Sequence, residues 1–320
     1  MNEKEHHTPL GIKWQFNIDV PGLPGNAIPV THIHGHKEGP HVLITAGLHG
    51  GEYPGMAASM ELAAELSPDD ITGTLTVVHV VNIGSFWERT SEIHPEDRKN
   101  LNRVFPGNPE GTVTEKIAWT LLNDYIKSAD YYIDLHSGDI HEDLLSHVYY
   151  SKKCEEEVSH TSKEMAKVTG VPYMIPSKAS GGAYNCAALN GVPCILLEHG
   201  CGGLCEPKYV EAHKADVVRI LRHLGLLSKE AYPEFAPAEG PKETGTVTYY
   251  NAKEDCCWRP AIKSGDRVKV GDLVGYATDL FGRHIRDYYA TDDGIALCVG
   301  TSLAMKKDGV LAFIANVGEK

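Results

Sequence analysis

No stretch of the 320 residues approaches about 18 uninterrupted apolar positions, the length a membrane-crossing helix needs. The opening "MNEKEHHTPL" is polar and charged where a secretory signal requires an apolar run. A cytoplasmic protein without a membrane partner is therefore expected. Positive charge is also scarce: 30 Lys and Arg face 43 Asp and Glu, a formal net of −13. That balance argues against general affinity for nucleic acid or anionic surfaces, and an anionic small substrate would need local cations. No two cysteines are spaced CxxC. The eight at Cys154, Cys186, Cys194, Cys201, Cys205, Cys256, Cys257 and Cys298 read as reduced thiols, and the Cys201/Cys205 pair lacks a second half-site for a structural metal. Internal repeats and low-complexity tracts are absent. So are the G-x-S-x-G elbow, the Walker loop and G-x-G-x-x-G, which leaves serine hydrolase, P-loop and dinucleotide-binding readings unsupported.

What is present is 42% apolar residues, enough for a substantial core. Short runs rich in β-branched and aromatic residues, at 41–48, 73–81, 130–136, 144–151 and 192–198, read as strands. Helices alternate with them. "YPGMAASMELAAEL" carries Pro54 in its first turn, "TVTEKIAWTLLNDYI" offers Thr112 and Glu115 as a capping box, and a third helix starts at Pro207. The alternation predicts an α/β fold: a mixed, mostly parallel central sheet with helices on both faces. Pro, Glu, Ala and Gly concentrate without apolar periodicity around 228–245. The expected division is a first domain over 1–230, a linker over 231–243 and a small all-β domain over 244–320, the last marked by Gly-Asp and Asp-Gly turns. Its "AMKK" superficially resembles a biotin-attachment site, but Lys306 lies too near the C-terminus and reads as a surface turn.

Chemistry gathers at strand ends. In "AGLHGGEYPG" the apolar run stops at Leu48, and Gly50 and Gly51 permit a sharp turn that lets His49 and Glu52 face each other. "YYIDLHSGD" ends another strand with His136, and Asp134, two residues earlier, projects to the same side and can orient a ligating imidazole. "PCILLEHG" ends in Glu198, an acid whose burial after a continuous apolar run needs a purpose. Ligands of open α/β sheets bind beyond the carboxyl ends of strands. Two His and one carboxylate with an open fourth position form a catalytic rather than structural zinc set, leaving Glu198 free to take a proton from the attacking water. Between these lie Asn102 and Arg103 in "DRKNLNRVFPG", a pair suited to bidentate recognition of a carboxylate, and Arg89 in "FWERT".

In that order and spacing, HxxE, NLNRVFPG, DLH and the late LLE-x-G resemble the succinylglutamate desuccinylase/aspartoacylase family of zinc carboxypeptidase-like hydrolases. The resemblance covers roughly residues 40–226, and the β unit near 244–320 looks like the C-terminal domain many members carry. It implies one zinc ion per chain held by His49, Glu52 and His136, with Glu198 as general base and later proton donor to the leaving amine. Asn102 and Arg103 would hold the substrate's α-carboxylate. Arg89 would polarise the scissile carbonyl, although aspartoacylases place theirs nearer the Asn-Arg pair, where Arg98 competes. Two departures bear on the substrate: Arg98 where many relatives read Asp-Gly-Lys-Asn, and DLHSGD where many read DLHGG. The implied reaction is hydrolysis of an N-acyl amino acid or related small amide bearing a carboxylate. A metallocarboxypeptidase acting on peptides is the rival, and a catalytically silent metabolite-binding protein the alternative of another class. A homo-oligomer is left open. Tyr184, in the glycine-rich loop before the Glu198 strand, is a candidate substrate contact. His32, His34 and His36 in "THIHGHKEGPH" read as the solvated face of an edge strand, while His199, directly after the base, is a candidate for lining the pocket ahead of His141 and His147.

Overall fold

The computed structural model describes residues 10–318 except 24, 26, 229, 234, 236 and 237. Residues 1–9 of the opening stretch, and 234, 236 and 237 of the expected linker, thus lie outside the described residues. In chain order the strands are β1 (Ile12–Asp19), β2 (Ala27–His34), β3 (Lys37–Ala46), β4 (Thr72–Val78), β5 (Tyr131–His136), β6 (Glu142–Leu144), β7 (His147–Ser151), β8 (Tyr173–Ser177), β9 (Cys194–Glu198) and β10 (Lys242–Glu243). The helices are α1 (Tyr53–Glu65), α2 (Ile83–Glu88), α3 (Val113–Thr120), α4 (Glu156–Lys167), α5 (Ala183–Leu189) and α6 (Pro207–His223). Nine strands form one sheet in the order β1-β2-β4-β3-β5-β9-β7-β8-β10. Its centre, β4-β3-β5-β9, is parallel, whereas β1, β2 and β7 pair antiparallel with their inner neighbours.

Residue alternation sends successive side chains to opposite faces of this sheet. Val42, Ile44, Ala46, Ile133 and Leu135 join a core with Met56 and Leu62 of α1 and Val217 and Ile220 of α6. Leu43, Tyr132 and Leu196 join a second core with Ile117 of α3 and Ala187 of α5. Two buried faces explain why the central strands read as continuous apolar runs. Pro54 stands in the first turn of α1, and the Thr112/Glu115 box caps α3, the Thr112 N–H donating to Glu115 Oε2 at 2.8 Å. No helix among the described residues is long and apolar enough to cross a membrane.

The C-terminal strands are β11 (Val247–Asn251), β12 (Cys256–Pro260), β13 (Arg267–Val268), β14 (Leu273–Thr278), β15 (His284–Tyr289), β16 (Gly294–Gly300), β17 (Ala304–Met305) and β18 (Val310–Ala315). They build a sheet β11-β18-β16-β13 and a sheet β15-β14-β12-β17, packed around Trp258. Lys306 is exposed and paired with Asp255. The run expected as a single strand at 144–151 is divided. β6 leaves the large sheet to pair with β16, and β7 stays in it beside β9. Likewise Lys242 and Glu243, inside the expected linker, add β10 to the large sheet next to β8.

The histidines of "THIHGHKEGPH" correct a sequence expectation. β2 is not an edge strand but lies between β1 and β4, so His32 is buried. Its ring centroid sits 4.1 Å from that of Trp14, and Nδ1 meets Thr76 Oγ1 at 2.9 Å. Only His36 is well exposed, paired with Asp69.

Candidate active site

β3 delivers the chain to the turn 47–52, which the backbone makes only because it lacks side chains. Gly47 takes φ +71°, and a side chain on Gly50 would collide with the Ser85–Phe86 backbone within α2. The turn brings His49 Nδ1 to 2.6 Å from Glu52 Oε1. From the end of the neighbouring β5, His136 Nδ1 reaches Glu52 Oε2 at 2.8 Å. One carboxylate thus bridges two imidazoles, with one ligand atom from each residue inside a 4.8 Å span. His49, Glu52 and His136 are 8%, 4% and 2% exposed.

The outer nitrogens are also met. His49 Nε2 lies 3.1 Å from Asn100 Oδ1, and His136 Nε2 lies 3.2 Å from Asp134 Oδ2. The latter is within ion-pair distance, though its angle falls short of a hydrogen bond. Asp134 is itself held by Thr45 Oγ1, which donates to Oδ1 at 2.8 Å. The Nε2 atoms thus face outward to these oxygens while both Nδ1 atoms face Glu52, so that the two Nδ1 atoms and the carboxylate would converge on one bound cation. The Ser137 N–H donates to Glu52 Oε2 at 3.2 Å, fixing the carboxylate's plane.

The electrostatics are those of a site built for a cation. Burial works against charge on His49 and His136, but Glu52 overcomes it at the first and Asp134 with Glu52 at the second, so both pKa values are raised. Burial likewise opposes the charged form of Glu52, yet the two imidazoles hold its carboxyl well below the usual range. These donors, hard carboxylate and borderline imidazole, fit a divalent ion such as zinc.

Glu198 ends β9 in register with His136. Its Oε2 is buried without a hydrogen-bond partner. Burial first, then the nearby Glu52 carboxylate, pushes its pKa well above the usual range. Strand pairing therefore assembles His49, Glu52, His136, Asp134 and Glu198 at one end of adjacent strands, the grouping read from the sequence.

The remaining candidates stand further out. Asn102 is buried and its Oδ1 accepts from the Ala183 N–H at 2.9 Å, tying the 3₁₀ turn Leu101–Arg103 to the start of α5. Tyr184, in α5, is buried beside Tyr149, their ring centroids 6.2 Å apart. Arg103 is exposed, its guanidinium 3.4 Å from the Asn102 carbonyl and near enough to influence Tyr249. Arg89 and Arg98 are exposed at left-handed positions of the loop before it, φ +53° and +59°. Among the described contacts neither guanidinium touches the His49–Glu52–His136 group. His199 does not open toward that group. Its Nδ1 lies 3.0 Å from Ser146 Oγ and its Nε2 2.9 Å from Asp216 Oδ2, so it ties β9 to α6. Asn100 was missed by sequence reasoning. Its one local signal is the Asx turn it makes with the Asn102 N–H at 2.8 Å.

Comparison with known proteins agrees with this geometry. A family model described as the succinylglutamate desuccinylase/aspartoacylase catalytic domain matches residues 38–224. The chain belongs to the succinylglutamate desuccinylase/aspartoacylase family. The N-alpha-acetyl-L-2,4-diaminobutyric acid deacetylase of Halomonas elongata is 28% identical over 315 residues, covering 96% of this chain and 91% of that protein. The product-bound ectoine utilization protein EutE (DoeB) from Ruegeria pomeroyi superposes with a TM-score of 0.85 at 27% identity, over 97% of each chain. A succinylglutamate desuccinylase from a Silicibacter species gives 0.84 at 26% identity, over 98% of each. As a member of the desuccinylase/aspartoacylase family this chain is a hydrolase of the N-acyl amino acid deacylase type.

Proposed function

We propose that the protein is a zinc-dependent amidohydrolase that removes the acyl group from an Nα-acyl amino acid, with one zinc ion per chain held by His49, Glu52 and His136. The observation that carries this reading is a buried carboxylate bridging two imidazoles, with a second, unpartnered carboxylate, Glu198, on the adjoining strand end. The Halomonas relative supports the class of substrate, since the compound in its name is an amino acid acylated at the α-nitrogen. When bound, zinc supplies Lewis acidity toward the acyl carbonyl and acidifies water.

The chain's own groups do the rest. Glu198 accepts a proton at its carboxylate from the attacking water and returns it to the departing amine nitrogen. Asn100 Oδ1 orients the His49 ring through its Nε2, and the Asp134 carboxylate, within ion-pair distance of His136 Nε2, orients the second imidazole. Asn102 and Arg103 bind the substrate's α-carboxylate, and Tyr184, from α5, is a further substrate contact. Arg89 polarises the acyl carbonyl in this reading, with Arg98 as competitor. Arg89→Ala and Arg98→Ala separate the two, the acting arginine lowering kcat more than it raises KM.

The direct test compares turnover of N-acetyl and N-succinyl amino acids with that of blocked dipeptides and longer peptides by zinc-loaded protein. Preference for the short acyl amino acids is expected. Preference for peptides would replace the deacylase reading with a carboxypeptidase.

A further inference from the structure

Three side chains that carry chemistry stand in one row across the large sheet. β9 lies between β5 and β7, with Glu198 in register with His136 on one side and with His147 on the other. Residues directly opposite across paired strands share a face, their Cβ atoms about 4.5–5.5 Å apart in an antiparallel pair. Glu198 is thus flanked by one imidazole of the Glu52 group and by a second imidazole outside it. His147 is buried, its ring set edge-on to those of Tyr149 and Phe313, with centroids 4.9 Å and 6.1 Å away. Tyr149 stands beside Tyr184 of α5, and burial, then Tyr249 and Glu198, raise its pKa. This face of β7 therefore borders the side of the sheet on which Glu198 and Tyr184 stand.

The chain also decides where the His147 ring carries its proton. Nδ1 lies 2.7 Å from the Leu145 carbonyl oxygen, and a carbonyl only accepts, so the hydrogen is on Nδ1. Burial, opposed by that carbonyl and reinforced by His199, lowers the pKa to about 4, which leaves the ring neutral near pH 7. Nε2 is then a bare acceptor. It is buried with no hydrogen-bond partner among the described residues, as is Glu198 Oε2. Burying an acceptor unpaired is costly, so a donor that arrives with the substrate suits it.

The reacting amide brings one such donor, its N–H. We propose that His147 is a further substrate-binding residue, its Nε2 accepting the N–H of the scissile amide and so turning the nitrogen's lone pair toward Glu198. This rests on the deacylase reading above and adds how the site holds the departing nitrogen. When the acyl carbon becomes tetrahedral, amide resonance ends and the lone pair localises on nitrogen. With the N–H held by His147, that lone pair takes the proton from Glu198 as the C–N bond breaks and its electrons pass to nitrogen. His147 itself gains and loses no proton. An imidazolium could not serve, because both of its nitrogens donate.

The test pairs each N-acetyl amino acid that the zinc-loaded protein hydrolyses with the α-acetoxy acid of the same side chain, an ester with oxygen in place of the N–H. Two variants separate the two ring nitrogens. His147→Asn keeps a donor for the Leu145 carbonyl but has no acceptor at the Nε2 position, whereas His147→Gln places its amide oxygen there and gives up the Nδ1 donor. The amide-to-ester ratio of kcat/KM should fall by about 10-fold or more in His147→Asn and stay within about 3-fold of wild type in His147→Gln. Equal losses on amide and ester, or a lower ratio in His147→Gln than in His147→Asn, would make the residue a structural anchor and overturn the proposal, leaving the deacylase reading intact. A second readout keeps His147 in place and decides the matter if His147→Asn does not fold. In zinc-loaded Glu198→Gln protein with isotope-labelled histidine nitrogens, the His147 Nε2 resonance, assigned by its loss in a His147→Gln background, should move on adding the N-acetyl amino acid and not the ester. An unmoved resonance would also overturn the proposal. Hydrolysis of none of the acyl amino acids at full zinc content would overturn both readings.

Discussion

Two groups of buried histidines sit on the same nine-stranded sheet and differ in what they touch. His49 and His136 meet Glu52, and His136 also meets Asp134. His32 and His79, on the β1-β2-β4 side, meet hydroxyls instead: His32 Nδ1 is 2.9 Å from Thr76 Oγ1, and His79 Nε2 is 2.8 Å from Thr31 Oγ1. Burial is severe in both groups, yet the outcomes are opposite. Without a carboxylate against it, burial lowers His32 to about 3 and His79 to about 4, whereas His49 and His136 are raised. Depth therefore says little about function; the charge of the partner separates an imidazole that packs from one that awaits a cation.

The largest expected effect lies in the carboxylate-paired group. His136→Ala should abolish stoichiometric zinc and reduce hydrolysis to background, whereas His79→Gln should leave both in place. Equal loss in the two variants would end the distinction. Next, Glu198→Gln should retain zinc and lose at least about 10²-fold in kcat, as general base catalysis requires; near-normal turnover would mean another group takes the proton. Smaller again, Asn100→Ala and Asp134→Asn should weaken zinc affinity by about 10-fold or more, read by competition with a chelator.

The hydroxyl-paired group should answer in stability. His32→Ala should cost about 1–3 kcal/mol in denaturant unfolding, because a buried ring packed on Trp14 and one of Thr76's two imidazole partners are lost, with kcat unaffected. Its titration adds a pH signature. The folded-state pKa of His32, about 3, lies below the ordinary 6.5, so between these values the unfolded chain binds more protons. Stability is complete above 6.5 and declines as pH falls toward 3. A His32→Gln, His79→Gln variant should show a shallower acid-side decline, and an unchanged slope would assign that decline to other groups.

How far the sequence carried differs between the same two regions. His49, His136 and Glu198 were legible because each follows or ends an apolar run, and Glu52 because the Gly50–Gly51 turn faces it to His49; the parallel register of β3, β5 and β9 brings such ends together. Asn100 was not, since its partner is 51 residues away and the loop between must fold back over the turn. His32 was misread as solvated because its cover, Trp14, comes from β1, and no local pattern tells an edge strand from its neighbour. Local spacing reveals residues that share a turn or a strand end, and long-range pairing decides the rest.

The central claim is that the carboxylate-bridged imidazoles hold a catalytic zinc ion. It is tested most directly by stripping purified protein with a chelator, then measuring metal content and hydrolysis of a panel of N-acyl amino acids during zinc titration. One equivalent of zinc per chain, with activity rising in step with occupancy, is the predicted result. Full hydrolysis by metal-free protein, or one equivalent of zinc lost equally well from wild type and His136→Ala, would contradict it.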